Sequence, residues 1–431
     1  MLIQFKVGNY LSFKNPVIFS MKATSIREHS NTNVFTSTKN IKLLRTSAIY
    51  GANASGKSNL IDALKFMRYF VVNSSMNMHS KEEIPVVKFK LSTDCDEKPS
   101  EFEIIILKNE TYYRYGFEAN RTEVISEWLY RIPSAKRKEE LLFLRDRSEF
   151  RLEKGFSEGI DLDKKTRMNA LFISVVAQFN GKISQELIEW FDDDVIILNG
   201  LNQRYDMDHM VEIIGKSDEF KAIIERYLKL ADLGIEGILT ESSNAKCPAE
   251  LQPFVDSIEA IAKKENVSIP SPFPKNRINL LHKKYNSENE FVSLEKFDLK
   301  KLESEGTKKL FSIVLPLIVC LFENKVLIVD ELDASLHPII TRALIKQFNN
   351  NNTNGTAQLI FNTHDTNLLS NKIFRRDQIW FTEKDRYGAS DLYSLVEYKV
   401  RHDASFEKDY LEGRYGSVPF IGKFDYDTLF K

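Results

Sequence analysis

Residues 51–58 read GANASGKS, from Gly51 to Ser58, between the apolar SAIY (47–50) and the helix-like NLIDALKFMRYF (59–70). A strand, a glycine-bounded G-x-x-x-x-G-K-S loop and a helix, in that order, make the arrangement that cradles a nucleoside triphosphate. Gly51 and Gly56 let the backbone turn, so that the N–H groups around Asn53, Ala54, Ser55 and Asn59 can face phosphate oxygens. The helix that follows adds the positive end of its dipole. On this reading Lys57 reaches the β- and γ-phosphates of ATP and Ser58 ligates Mg²⁺. The stretch sets the fold class as α/β, and the remaining question is what the bound triphosphate is for.

A second motif is VLIVDELDASLHP (326–338). Four apolar residues predict a buried strand, and Asp330 and Glu331 leave its carboxyl end, where parallel sheets place their ligands. Asp330 is positioned to hold the metal and Glu331 to polarise a water as general base. Two acids ending a strand are also a common surface event, and the phosphate loop is what favours the chemical reading. In QLIFNTHDTNLL (358–369) a further strand leads to His364, a candidate hydrogen-bond partner for the γ-phosphate. In ESEGTKKLFSIVLP (303–316) the cluster Ser304, Glu305, Gly306 and Thr307 opens a helix. Exposed N–H groups there can bind an anion, although the cluster taken alone reads as an ordinary N-cap with Ser304 as the capping residue.

The chain of 431 residues is 42% apolar and 28% charged, with a net charge of −1, the profile of an ordinary globular protein with room for two or three lobes. Its charge is uneven. Before Asp62 the bases Lys6, Lys14, Lys22, Arg27, Lys39, Lys42, Arg45 and Lys57 face the single acid Glu28. A basic first lobe suits phosphate ligands, nucleotide or nucleic acid, and equally a face neutralised by acids elsewhere. Cys95, Cys247 and Cys320 are too scattered for a zinc site or a disulfide framework. The start MLIQFKVGNYLSF lacks signal-peptide order, and LFSIVLPLIVCLF (310–322), with Pro316, is too short for a bilayer, so a cytoplasmic location is expected.

Period-two patterning predicts short strands over 2–22 and an antiparallel meander over 86–153, beginning with VVKFKLS. TRMNALFISVVAQF (165–178) reads as one helix ending at Gln178. From 183 to 275 the period shifts towards 3.6, closing at the Pro-rich SIPSPFPKN (268–276). The expected division is therefore a first ATPase lobe (1–182), a helical insertion (183–275), and a second lobe with a tail (276–431).

These motifs, in this order, resemble the ATP-binding-cassette heads of the SMC and RecF families. The resemblance implies a P-loop NTPase head with an antiparallel β subdomain and an inserted helical domain. It implies Gln178 as the Q-loop residue near Mg²⁺ and water, Ala334, Ser335 and Leu336 as the D-loop, and His364 as the switch histidine. It also implies that Ser304 and Gly306, as the signature, act across a dimer on the partner copy's γ-phosphate. Transporters carry S-G-G where this chain has S-E-G, and His337 stands where Asp is frequent. The insertion shows no long heptad run, which disfavours a coiled-coil arm.

Together with FISVVAQFN and DELDASLHP, the tail YLEGRYGSVPF (410–420) is similar to AAA15/AAA21-type ATPases of bacterial abortive-infection systems, of the AbiL or RloA kind. That similarity implies an antiviral ATPase switch acting with an RloB-type effector. Nucleases with a similar head continue into a TOPRIM domain, for which too few residues follow His364. A RecF-like, DNA-binding repair ATPase is the alternative, drawing on the basic first lobe.

Overall fold

The computed structural model describes residues 1–37, 40–76, 82–132, 138–198, 211, 214–215, 217–231, 234–242, 257, 276–350, 355–400 and 404–419. The chain divides into two compact units, Met1–Gly200 with Val319–Lys431, and Leu201–Ile318.

Two large sheets and a two-stranded ribbon, Val34–Thr36 with Lys42–Leu44, are described in the first unit. One has six strands in the order Val195–Leu198, Val326–Val329, Gln358–Asn362, Thr46–Tyr50, Ile379–Lys384 and Ser390–Ser394. The first five run parallel and the last is antiparallel to its neighbour. The strands of this sheet's centre are buried on both faces, which explains why VLIV, QLIF and SAIY are continuous apolar runs rather than alternating ones. Here is the α/β fold of a P-loop NTPase, with the phosphate-loop strand flanked by two later segments of the chain.

The other sheet is antiparallel, with seven strands in the order Glu149–Leu152, Glu140–Asp146, Val124–Ile132, Thr111–Ala119, Ser100–Lys108, Leu2–Gly8 and Val17–Ser20. The helix Lys57–Asn73 lays Leu60, Leu64, Phe66, Met67 and Phe70 into its core. Phe66 meets Phe102 at a centroid distance of 5.0 Å, and Phe70 meets Phe117 edge-on at 5.4 Å. Aromatic pairs of this kind add roughly 0.5–1.5 kcal/mol each to simple burial. The helix that begins at the phosphate loop is thus anchored along its length.

Three sequence expectations need correction. VVKFKLS (86–92) joins none of the described sheets. The place beside Ser100–Lys108 is taken by the N-terminal strand Leu2–Gly8, and the segment is held by Leu11 N–H to Val87 O (2.9 Å) and Phe89 N–H to Asn9 Oδ1 (3.3 Å). The helix expected over 165–178 is confined to Phe172–Gln178. Its start is fixed by the buried carboxylate of Glu127, which accepts from the N–H groups of Phe172 (2.7 Å) and Ile173 (3.0 Å). The block 183–275 also contributes strands, Val195–Leu198 and Ile235–Ser242. Short runs rich in Ile and Val fit a buried strand and a buried helix equally well by period, and only pairing partners decide.

In the second unit the described residues form the helix Asp218–Leu230, capped by Ser217, and an antiparallel sheet ordered Ile235–Ser242, Asn276–Tyr285, Phe291–Asp298. The pair 276–298, which the sequence reading placed in the second ATPase lobe, therefore belongs with 235–242. The unit boundary at Ile318 falls within the helix Glu305–Glu323. Much of the expected helical insertion, with Cys247 and nearly all of SIPSPFPKN, lies outside the described residues. No described helix is long and apolar enough to cross a membrane.

Candidate nucleotide site

Strand register assembles the site. The parallel pairing sets Val329 beside Phe361, and Asn362 beside Ile49. Asp330 and Glu331, Asn362 to His364, and the phosphate loop therefore leave three adjacent strands at the same carboxyl edge. Ligands of open α/β sheets bind at such an edge.

The loop is built around its two glycines. Gly51 has φ +152° and Gly56 φ +120°. A Cβ on Gly51 would lie 2.5 Å from Ser55 Oγ and from Thr382 O, and one on Gly56 would lie 2.6 Å from Ser390 Oγ. Both the left-handed backbone and the close approach therefore require glycine. Ser55 Oγ bonds Thr382 Oγ1 at 2.6 Å, Ser390 Oγ donates to Ser55 O at 2.6 Å, and Asn59 Nδ2 donates to Ser12 Oγ at 2.6 Å. Thr382, Ser390 and Ser12 thus support the loop from behind, while Asn53 and Ala54 are exposed on its outer side.

Lys57 is 5% exposed, and its ammonium donates to the loop's own carbonyls, Gly51 O at 2.8 Å and Ala52 O at 3.0 Å. Burial lowers its pKa to about 8, against the pull of Glu331, Asp330 and Asp333. Ser58 Oγ donates to Asp330 Oδ1 at 2.9 Å. A hydroxyl and a carboxylate held side by side beside the phosphate loop form the hard oxygen donor set that suits Mg²⁺.

Asn362 ties the acidic pair together, and the sequence reading did not single it out. Its carboxamide donates to Asp330 Oδ1 and accepts from the Glu331 N–H. Glu331 has φ +54°, an uncommon conformation for a residue with a side chain. The bond from its N–H to Asn362 helps hold that turn. The signal available in the sequence was a lone amide ending the apolar strand QLIF. Asp333 was also missed. One carboxylate oxygen accepts from the His364 N–H at 3.2 Å, and the other is buried without a partner among the described residues.

His364 is exposed at this edge and its pKa is lowered, first by partial burial and then by the Lys57 charge. Both effects favour the neutral imidazole. Asp330, Glu331, Asp333 and Lys57 all act on it electrostatically, which places the five groups in one neighbourhood.

Other expected residues stand apart. Gln178 is exposed at the end of its short helix, and no described hydrogen bond joins it to Lys57, Ser58 or Asp330. Ser304, in the second unit, caps the helix Glu305–Glu323, its Oγ accepting from Thr307 N–H at 3.1 Å. Gly306 lies in that helix's first turn, and Glu305 is engaged by Lys308 at 2.8 Å. Ala334, Ser335 and Leu336 form a tight turn with Ser335 at φ +61°, and His337 Nδ1 accepts from Ile339 N–H at 3.3 Å to cap the next helix, Pro338–Phe348.

The tail element packs against the strand beside the loop. Tyr410 stacks on Phe381 at 5.5 Å, and Ser417 donates to Thr382 O, the same carbonyl that crowds Gly51.

No curated protein matches the chain in sequence. Among solved structures, the SMC head domain from Thermotoga maritima is 12% identical over 91% of this chain and 98% of its own, with a TM-score of 0.38. An SMC head bound to the C-terminal domain of ScpA, from Pyrococcus furiosus, is 11% identical over 96% and 98%, with a TM-score of 0.36. The recombination mediator RecF with ATP is 14% identical over 91% and 97%, with a TM-score of 0.34. One sequence family matches residues 47–370, the span that runs from the phosphate-loop strand through Asp330, Glu331 and His364. The chain belongs to that family, described as "AAA domain, putative AbiEii toxin, Type IV TA system".

Proposed function

We propose that this chain is an Mg²⁺-dependent ATPase switch that works as a homodimer or larger homo-oligomer and drives a partner effector in bacterial antiviral defence. The observation that carries the ATPase reading is the meeting of Lys57, Ser58, Asp330, Glu331 and His364 at one edge of the parallel sheet. Ser58 Oγ and Asp330 Oδ1 are the atoms that would hold Mg²⁺, which when bound neutralises charge on the β- and γ-phosphate oxygens. Lys57 exchanges its two loop carbonyls for phosphate oxygens. Glu331 takes the proton of the attacking water, and Asn362 keeps its backbone from drifting. His364 hydrogen-bonds the γ-phosphate. Gln178 is assigned to the same water once nucleotide is bound.

Ser304 and Gly306 are assigned to the γ-phosphate of a second copy. The defence role and an RloB-type effector rest on the family's description and on the motif resemblance. The direct test is Glu331→Gln, which should retain ATP affinity within about threefold while turnover drops by about 10²-fold or more. Unchanged phosphate release in that variant would remove the assignment. The basic residues of the first lobe favour a second reading, a DNA-binding repair ATPase, which requires DNA affinity that falls steeply with salt.

A further inference from the structure

The basic set of the N-terminal segment is not consumed by the nucleotide site. Three of its members, Arg27, Lys42 and Arg45, line a cleft of about 860 Å³ with Arg375, and no Asp or Glu is among its described lining residues. The cleft lies at the opposite end of the sheet from the phosphate loop. Arg45 immediately precedes the strand Thr46–Tyr50, and Thr356 closely precedes Gln358–Asn362. Five residues of strand separate it from Gly51, roughly 16 Å.

The cleft has the features of a built site. Arg375 fixes one wall by donating to Thr24 O (3.2 Å), Ile26 O (3.1 Å) and Glu28 O (2.6 Å), and is itself clamped by Asp377 at 2.8 and 2.7 Å. Asp377 also accepts from the Thr24 N–H at 2.7 Å. Arg45 is 4% exposed and gives Nη1 to Gly355 O at 2.6 Å, yet its buried Nε has no partner among the described residues. An unpaired buried donor on a cationic group is destabilising unless a ligand satisfies it. Arg27 and Lys42 are exposed and have no acidic partner among the described residues.

We propose that this cleft binds a phosphate monoester of nucleotide size, with Arg45 as its buried anion contact and Arg27 and Lys42 as outer contacts. The volume matches a small-molecule site. A duplex backbone, being convex, would touch Arg27 and Lys42 but would not reach Arg45, which favours a small or terminal phosphate over a continuous strand. The Phe35 ring, lying 5.4 Å from the Arg45 guanidinium carbon, offers an apolar surface beside the charge.

The test is calorimetric titration of the full chain with inorganic phosphate, a nucleoside 5′-monophosphate and the unphosphorylated nucleoside. Saturating Mg²⁺–ADP is present throughout to fill the phosphate loop. The monophosphate should bind in the sub-millimolar range and the nucleoside should not. The double variant R27E/K42E, at two exposed and unpaired positions, should weaken that binding at least about tenfold. ADP affinity should stay within about twofold. R45M, checked for folding by circular dichroism, should weaken it comparably. The proposal is overturned if no phosphate probe binds, or if R27E/K42E leaves binding unchanged. Binding only of long single- or double-stranded DNA would also overturn it. Loss of ATPase activity in Glu331→Gln would leave this outcome untouched.

Discussion

Nucleotide binding should take up a proton, and Lys57 supplies the magnitude. Burial holds its pKa at about 8, against 10.5 for an ordinary lysine. Phosphate oxygens favour the charged ammonium and return the pKa towards or above the ordinary value. The sign follows: below pH 8 Lys57 is already charged and binds without a proton, whereas above it the neutral amine must first be protonated. Uptake should be ~0.1 proton at pH 7 and ~0.9 at pH 9. Affinity should weaken about tenfold over the same interval. ADP is the suitable probe, since it is not hydrolysed and its own phosphate titrates below this window. Titration calorimetry at pH 7, 8 and 9, in buffers of different ionisation enthalpy, reads uptake and affinity together. K57R, whose guanidinium stays charged, should flatten both. Affinity independent of pH between 7 and 9 in the unaltered chain, with uptake under ~0.2 proton, would refute the claim that Lys57 is desolvated in its loop.

Other outcomes follow from particular contacts. Asn362→Ala removes the amide between Asp330 and Glu331, and should lower kcat about 10–100-fold with a smaller change in ATP affinity, read by single-turnover kinetics. Gly56→Ala places a methyl against Ser390 at a left-handed backbone position, and should abolish ADP binding and lower stability by about 1–3 kcal/mol in urea unfolding. Glu127→Ala strips two helix N–H groups, Tyr115 OH and the buried Arg145 guanidinium of their acceptor or counter-ion. A loss of about 3–5 kcal/mol is expected from thermal or denaturant unfolding.

SAIYGANASGKS, VLIVDE and QLIFNTH were legible as three buried strands ending in polar tips, because a parallel sheet buried on both faces leaves uninterrupted apolar runs. The roles proposed for Lys57, Ser58, Asp330 and Glu331 need only their positions at those tips. Asn362 was in plain view but carried no local signature, since its task depends on which strand lies next to it. The same holds for Ser12, Thr382 and Ser390, which come from distant parts of the chain to support one loop.

Strand pairing was likewise beyond local pattern. Leu2–Gly8 alternates like any half-buried strand, and nothing in its residues says that it inserts beside Ser100–Lys108 and leaves VVKFKLS unpaired. Val195–Leu198 reads as apolar under either period, and only its ladder with Val326–Val329 makes it a strand. By itself the sequence determined the chemistry available at each strand end and the order of the motifs, because both are written in contiguous residues. The tertiary structure decided which strands are neighbours, and with them the amide that fixes the acids, the desolvation of Lys57 and the gathering of Arg27, Lys42 and Arg45. Those properties depend on distances between residues tens to hundreds of positions apart, which no window of sequence contains.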